Sequence, residues 1–120
     1  MREKVITPTI MKVMRDDPRF GSCLVEVKVA KGKTLYEKQI AEHQRRALTL
    51  SHKSSIYFKI PDGTFSQSPA DGFIFKKSEA YLVIYFDIKP KEIWAIHIRN
   101  LPITNISIDT ARSIGIQIIL

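Results

Sequence analysis

Glu26 and Lys28 are the residues whose types and spacing most readily do chemistry. They interrupt an otherwise apolar run, Cys23-Leu24-Val25-Glu26-Val27-Lys28-Val29. In an extended chain side chains alternate faces, so Cys23, Val25, Val27 and Val29 share one surface while Leu24, Glu26, Lys28 and Ala30 share the other. A carboxylate and an ammonium on one side of so apolar a strand need a reason, because buried charge is costly unless paired, solvated or bound to a metal. Two readings follow. In one, this is an edge or surface strand carrying a solvated ion pair. In the other, Glu26 holds a hard divalent cation and Lys28 orients or deprotonates an attacking water, or stabilises negative charge building on a phosphate.

Further carboxylates are available to complete such a site. Asp71 stands in Ser68-Pro69-Ala70-Asp71-Gly72 at the start of an expected strand, and Asp62 in the turn Pro61-Asp62-Gly63. Mg²⁺ takes one or two carboxylates together with waters and substrate phosphate oxygens, so two acids brought together from neighbouring strands would suffice. Gln44 lies on a helix and breaks its apolar stripe. A buried Gln must hydrogen-bond, and it serves either a helix–sheet contact or the site itself. Arg45 and Arg46 flank Gln44 and, with Lys31, Lys33 and Lys59, are candidates for contact with a polyanion.

The elements that must position these residues can be read in order. Ile6 to Met14 carry a helical pattern, with Thr7 as N-cap before Pro8 at the first helical position, and Asp16-Asp17-Pro18 ends it. Lys31-Gly32-Lys33 turns the chain out of the Glu26 strand. Thr34-Leu35-Tyr36-Glu37 has the pattern of a capping box and predicts a helix to about Leu50, with Ile40, Gln44, Ala47 and Leu48 on one face and ion pairs Lys38–Glu42 and Glu42–Arg46 outside. From Ser55 the chain reads as strands: Ile56 to Ile60, then a polar loop from Thr64 to Pro69. A hairpin of Gly72–Phe75 with Ala80–Phe86 follows, its second strand central and buried, and then Ile93–Ile98. Trp94 and His97 on that last strand read as packing and surface. Ser107 can cap a short helix through Ser113 that stops at Gly115, and Ile116 to Leu120 close the chain as a strand. The expected fold class is α+β, a largely antiparallel set of strands with the long helix packed on one face.

Length and composition bound the rest. At 120 residues the chain makes one domain spanning 1–120, and 44% hydrophobic with 26% charged residues excludes disorder, collagen and coiled coil. Apolar runs fall short of the roughly 20 residues that span a bilayer, and Met1-Arg2-Glu3-Lys4 leads into no signal-peptide core, so no membrane partner and a cytoplasmic location are expected. One cysteine excludes a disulfide framework and cysteine-ligated zinc. The scattered His43, His52 and His97 argue against a histidine metal site. The formal net charge of +7 favours a polyanionic partner, because Lys and Arg contacts to phosphates release counterions.

Leu24-Val25-Glu26-Val27-Lys28, Gly32-Lys33-Thr34-Leu35, Ala41-Glu42-His43-Gln44 with Ala47-Leu48, Tyr57 to Asp62 and Pro69-Ala70-Asp71-Gly72-Phe73 together resemble the PD-(D/E)xK nuclease superfamily. The similarity is to its small phage-type and Holliday-junction-resolvase-like members, over about Leu24 to Phe86. The resemblance implies a restriction-endonuclease-like core, a mixed sheet flanked by helices, and phosphodiester hydrolysis in DNA, branched forms included, with Mg²⁺ or Mn²⁺ as cofactor. It implies Glu26 and Asp71 as metal ligands, Lys28 as catalytic lysine and Gln44 as a site-facing residue. Resolving a four-way junction would need two sites and hence a homodimer, to which the apolar Tyr81–Phe86 and Ile93–Ile98 strands are candidate contributors. In the usual order the metal-binding Asp precedes the Glu-x-Lys strand, where this chain offers only Asp16 and Asp17. Asp71 comes after the helix and would need a rearranged strand order. A second frame, Asp87-Ile88-Lys89, follows Asp71 in the ordinary order, but Lys89-Pro90-Lys91 reads as a turn. Without a completing Asp, the same fold is expected to serve as a non-catalytic nucleic-acid-binding or assembly protein.

Overall fold

A computed structural model describes residues 1–53, 56–59, 72–75 and 79–120. The chain starts with a helix, α1 (Glu3–Asp16), and a strand, β1 (Cys23–Ala30). A short strand β2 (Thr34–Leu35) and a 3-10 turn (Glu37–Gln39) lead into α2 (Glu42–Lys53). Two short strands, β3 (Ile56–Lys59) and β4 (Gly72–Phe75), precede the long β5 (Glu79–Phe86) and β6 (Glu92–His97). The chain ends with β7 (Ile106–Ser107), α3 (Ile108–Ile114) and β8 (Ile116–Gln117).

Among the described residues the main sheet has the order β1-β5-β6-β8, with β1 parallel to β5 and the other pairs antiparallel. A parallel pair needs a crossover, and α2 lies within it. The architecture is therefore a mixed sheet flanked by helices, as expected, but with helices on both faces rather than one. On one face Ile6, Ile10 and Met14 of α1, spaced by four, pack over Val27, Val29, Tyr81 and Val83. On the other, Leu48 of α2 and Ile108 and Ala111 of α3 pack over Leu82, Ile84 and Phe86. Every residue of β5 from Ala80 to Phe86 is buried, the central strand that its unbroken apolar run predicts.

Several local expectations are corrected. Helix α1 starts a turn early, so Pro8 lies inside it; burial of Ile6, Ile10 and Met14 outweighs the roughly 3 kcal/mol that an interior proline costs. The capping box at Thr34 does not form. Thr34 and Leu35 instead pair with Ser107 and Ile106, which buries Leu35 completely, and α2 begins only at Glu42. Lys38 thus falls before the helix, and of the two expected ion pairs Glu42–Arg46 is the one formed, at 3.3 Å. Gly72–Phe75 pairs with Ile56–Lys59, not with β5, because β5 is enclosed by β1 and β6. That enclosure also removes β5 and most of β6 as a dimer surface. The C-terminal helix reading stands, since the Ser107 hydroxyl accepts from the Thr110 N–H at 3.1 Å and Gly115 ends α3, but the closing strand is Ile116–Gln117 and not Ile116 to Leu120. Added at Gly115, a Cβ would meet the Ala111 carbonyl at 2.7 Å, so this stop has no room for a side chain.

Candidate functional site

Glu26 and Lys28 occupy the α2 face of β1, in register with the buried Leu82 and Ile84 of β5. Gln44 comes to them from the first turn of α2. Its Oε1 accepts from the Ala41 N–H at 3.1 Å, which caps the helix and orients the amide. Its Nε2 then donates to Glu26 Oε1 at 2.7 Å. The same Glu26 oxygen lies 3.8 Å from Lys28 Nζ, so one carboxylate oxygen gathers both partners. Lys28 is only 12% exposed at its side chain and Glu26 is 31% exposed, which replaces the picture of a fully solvated surface pair. The carboxylate borders a groove of about 280 Å³ between β1 and α2, whose wall includes Leu24, Val25, His43, Gln44, Ala47 and Leu48.

β1 is an edge strand of the main sheet, and side chains cover its outer side near the site. Glu3 Oε1 accepts from the Val29 N–H at 3.4 Å, and Gln39 Nε2 donates to the Val29 carbonyl at 3.2 Å. Such covering satisfies backbone groups that would otherwise invite another strand. Neither Glu3 nor Gln39 carries a sequence signal for this role, since both act over a tertiary distance.

The other expected site residues divide clearly. Asp71 and Asp62 lie outside the described residues, as does the side chain of Lys59; the backbone of Lys59 pairs with Gly72, the residue after Asp71. Asp16 and Asp17 do not complete the site. They end α1, which packs on the opposite face of the sheet, and they pair with Arg15 at 3.1 Å and Arg19 at 2.7 Å. The side-chain and backbone hydrogen bonds of Arg19 hold the Asp17 carboxyl below the usual range. Lys89 lies beyond the end of β5, off any strand, and Asp87 binds the Met1 amine at 2.6 Å, so Asp87-Ile88-Lys89 makes no strand-borne pair. Arg45 donates to the Pro102 carbonyl at 3.3 Å, and Arg46 is exposed beside Glu42. Lys31 and Lys33 are both exposed at the end of β1.

A second polar cluster, at residues whose sequence pattern reads as packing, sits on the α1 face. His97 is buried at the end of β6; its Nε2 meets Glu79 Oε2, and its Nδ1 accepts from the Arg99 N–H at 3.0 Å. That acceptor role puts the ring proton on Nε2, facing the carboxylate. Tyr81 stacks edge-on against His97 at 5.2 Å and against Phe20 at 5.1 Å. Cys23, in register with Glu79, is half-buried, and burial together with the Glu79 charge pushes its thiol up, which fits a structural rather than a reactive cysteine.

Among the described residues there is no group of three or more His, Cys, Asp or Glu side chains placed to hold a metal ion. Among the described residues that line the groove Glu26 is the one carboxylate: Oε1 takes Gln44, and Oε2 makes no hydrogen bond with a described residue. This donor fits Mg²⁺ or Mn²⁺ as one of the two carboxylates such an ion uses. No helix of the described residues is long and apolar enough to cross a membrane. Compared with protein-family models, curated proteins and solved structures, the chain matches none of them.

Proposed function

We propose that this protein is a divalent-metal-dependent DNA endonuclease of the PD-(D/E)xK kind, cutting by hydrolysis of a phosphodiester bond. One observation carries the reading: Gln44, which is 18 residues from Glu26 in sequence, donates to the carboxylate oxygen that Lys28 also approaches, at the mouth of a groove. A strand-borne Glu-x-Lys answered by a helix-borne Gln is the arrangement that the sequence resemblance implies. A cation held by Glu26 and Asp71 would supply charge neutralisation at the phosphate and an acidified water. The chain's own residues do the rest. Gln44 fixes the Glu26 rotamer and leaves Oε2 for ligand binding, while Lys28, largely shielded from water, presents a positive charge whose effect on a phosphate is strengthened by its low-dielectric surroundings. Cleavage of both strands of a branch would need two copies of the chain.

The test is cleavage of branched and linear DNA in Mg²⁺ or Mn²⁺ by the protein and by Glu26→Ala and Lys28→Ala. Both variants are expected to lose at least about a hundredfold in rate. Unchanged cutting in both would overturn the assignment. A second reading, a non-catalytic nucleic-acid-binding protein on the same fold, has its own support: Glu26, Lys28 and Gln44 satisfy one another, as a purely structural polar contact does. Binding of DNA with no cutting in either metal would favour it.

A further inference from the structure

A second groove borders β1, at its C-terminal end, and its chemistry differs from the first. It measures about 560 Å³, and the described residues that line it include Lys31, Lys33, Lys38, Tyr36 and Gln39 and no acidic side chain. All three lysines are exposed, and none of them makes an ion pair with a described residue. The neighbouring groove on the other side of Lys38 contains Glu37 and Glu42 with Arg45, and this mixed charge suits an anion less well.

Among the described residues Tyr36 is the one tyrosine, phenylalanine or tryptophan that is mostly exposed, at 52%. Its backbone is clamped. The Tyr36 N–H donates to Gln39 Oε1 at 3.0 Å, and Gln39 Nε2 donates in turn to the Val29 carbonyl of β1 at 3.2 Å. The next residue, Glu37, donates its N–H to Asn105 Oδ1 at 2.8 Å. Leu35, just before, is completely buried against β7. A segment tied down at both sides fixes the backbone from which the ring projects, so stacking on it costs side-chain entropy but little backbone ordering.

We propose that this groove binds single-stranded DNA, the lysines contacting phosphates and the Tyr36 ring stacking on an unpaired base. Cationic walls that track a backbone, combined with an aromatic platform, are the physical basis of single-strand binding, whereas a duplex keeps its bases stacked on one another. Gln39 ties the groove to Val29, the residue after Lys28, so the groove lies at the C-terminal end of the strand that carries Glu26 and Lys28. The inference rests on the nucleic-acid reading above but not on cleavage, and it narrows the substrate to DNA with an unpaired segment, such as a branch or flap.

The test measures binding of a labelled single-stranded oligonucleotide, and of the same sequence as a duplex, in EDTA, so that cutting cannot contribute. Tyr36→Ala is expected to weaken single-strand binding about tenfold or more and duplex binding little, while Tyr36→Phe retains it. Replacing Lys31 and Lys33 by Ala should lower the slope of log K against log salt by about 0.7 for each phosphate that is no longer neutralised. Single-strand affinity unchanged in Tyr36→Ala, or an equal loss on duplex, overturns the proposal. Thermal unfolding of each variant confirms that its fold is intact. Tyr36-dependent single-strand binding by a protein that cuts nothing in Mg²⁺ would support the groove and refute the nuclease. Glu26-dependent cutting with binding indifferent to Tyr36 would do the reverse.

Discussion

The two faces of the main sheet are built to different rules. Under α1 the middle of the sheet carries no charged side chain among the described residues, and charge enters at the strand end, where His97 meets Glu79. Under α2 a carboxylate and an ammonium sit in the middle of β1, beside the buried Leu82 and Ile84. The α1 face shows what this sheet does when stability alone is at stake. The α2 face departs from that in the middle of β1, where the polar groups converge on a single carboxylate oxygen beside an open groove. Polar groups placed where apolar ones would pack better mark a site by the cost they impose.

The comparison can be broken at several strengths. The largest effect should come from the apolar centres, where Ile10→Ala under α1 and Leu82→Ala under α2 each remove a fully buried side chain. Each should cost about 2–5 kcal/mol in urea unfolding. A much smaller loss at Leu82 would mean that the α2 face is loosely packed and that its polar trio is no exception. Next, Glu26→Ala strands a nearly buried ammonium and should cost about 1–3 kcal/mol, whereas Glu26→Leu with Lys28→Met should fold at least as well as the natural chain. If the double replacement proves as damaging as the single one, the pair is there for structure. Gln44→Ala removes a helix cap and the hydrogen bond to Glu26; about 1 kcal/mol is expected, with a larger proportional loss in cutting.

The smallest effect is a control elsewhere on the α2 face, where the start of β6 meets α3. Glu92 accepts from Arg112 Nε at 2.9 Å and from Trp94 Nε1 at 3.1 Å, and these bonds, that from Arg112 first, hold its carboxyl down at about 2 instead of 4.5. A carboxyl whose pKa is lower folded than unfolded stabilises the fold above 4.5, and that contribution is lost as pH falls from 4.5 toward 2. Thermal unfolding of Arg112→Ala should accordingly lose less stability across this window than the natural chain. An identical acid profile would remove Glu92 as a contributor.

How much was legible in the sequence depended on the range of the deciding contact. The Glu26 strand, the buried run from Ala80 to Phe86 and the Ser107–Gly115 helix were legible because alternation, continuous apolarity and capping chemistry are local properties. Thr34 to Glu37 misled for the opposite reason. Its capping-box residues are correct, but pairing with Ile106 and Ser107 and the burial of Leu35 contribute more than a cap can. The pairing of Gly72–Phe75 was equally hidden, since a strand's partner is chosen by which edges are free.

For the site, the sequence by itself determined that Glu26 and Lys28 share a face and that Gln44 interrupts an apolar helix stripe. Periodicity dictates both, whatever the fold. Only the tertiary structure decided that these two faces meet, that Gln44 spends one end of its amide on Ala41 and the other on Glu26, and that Lys28 is drawn nearly out of water. The tertiary structure alone, too, put Asp17 on the wrong side of the sheet and held Tyr36 out among the lysines. Side-chain direction follows from backbone repeat, but proximity follows from how α2 crosses from β1 to β5, and no residue type or spacing encodes that crossing.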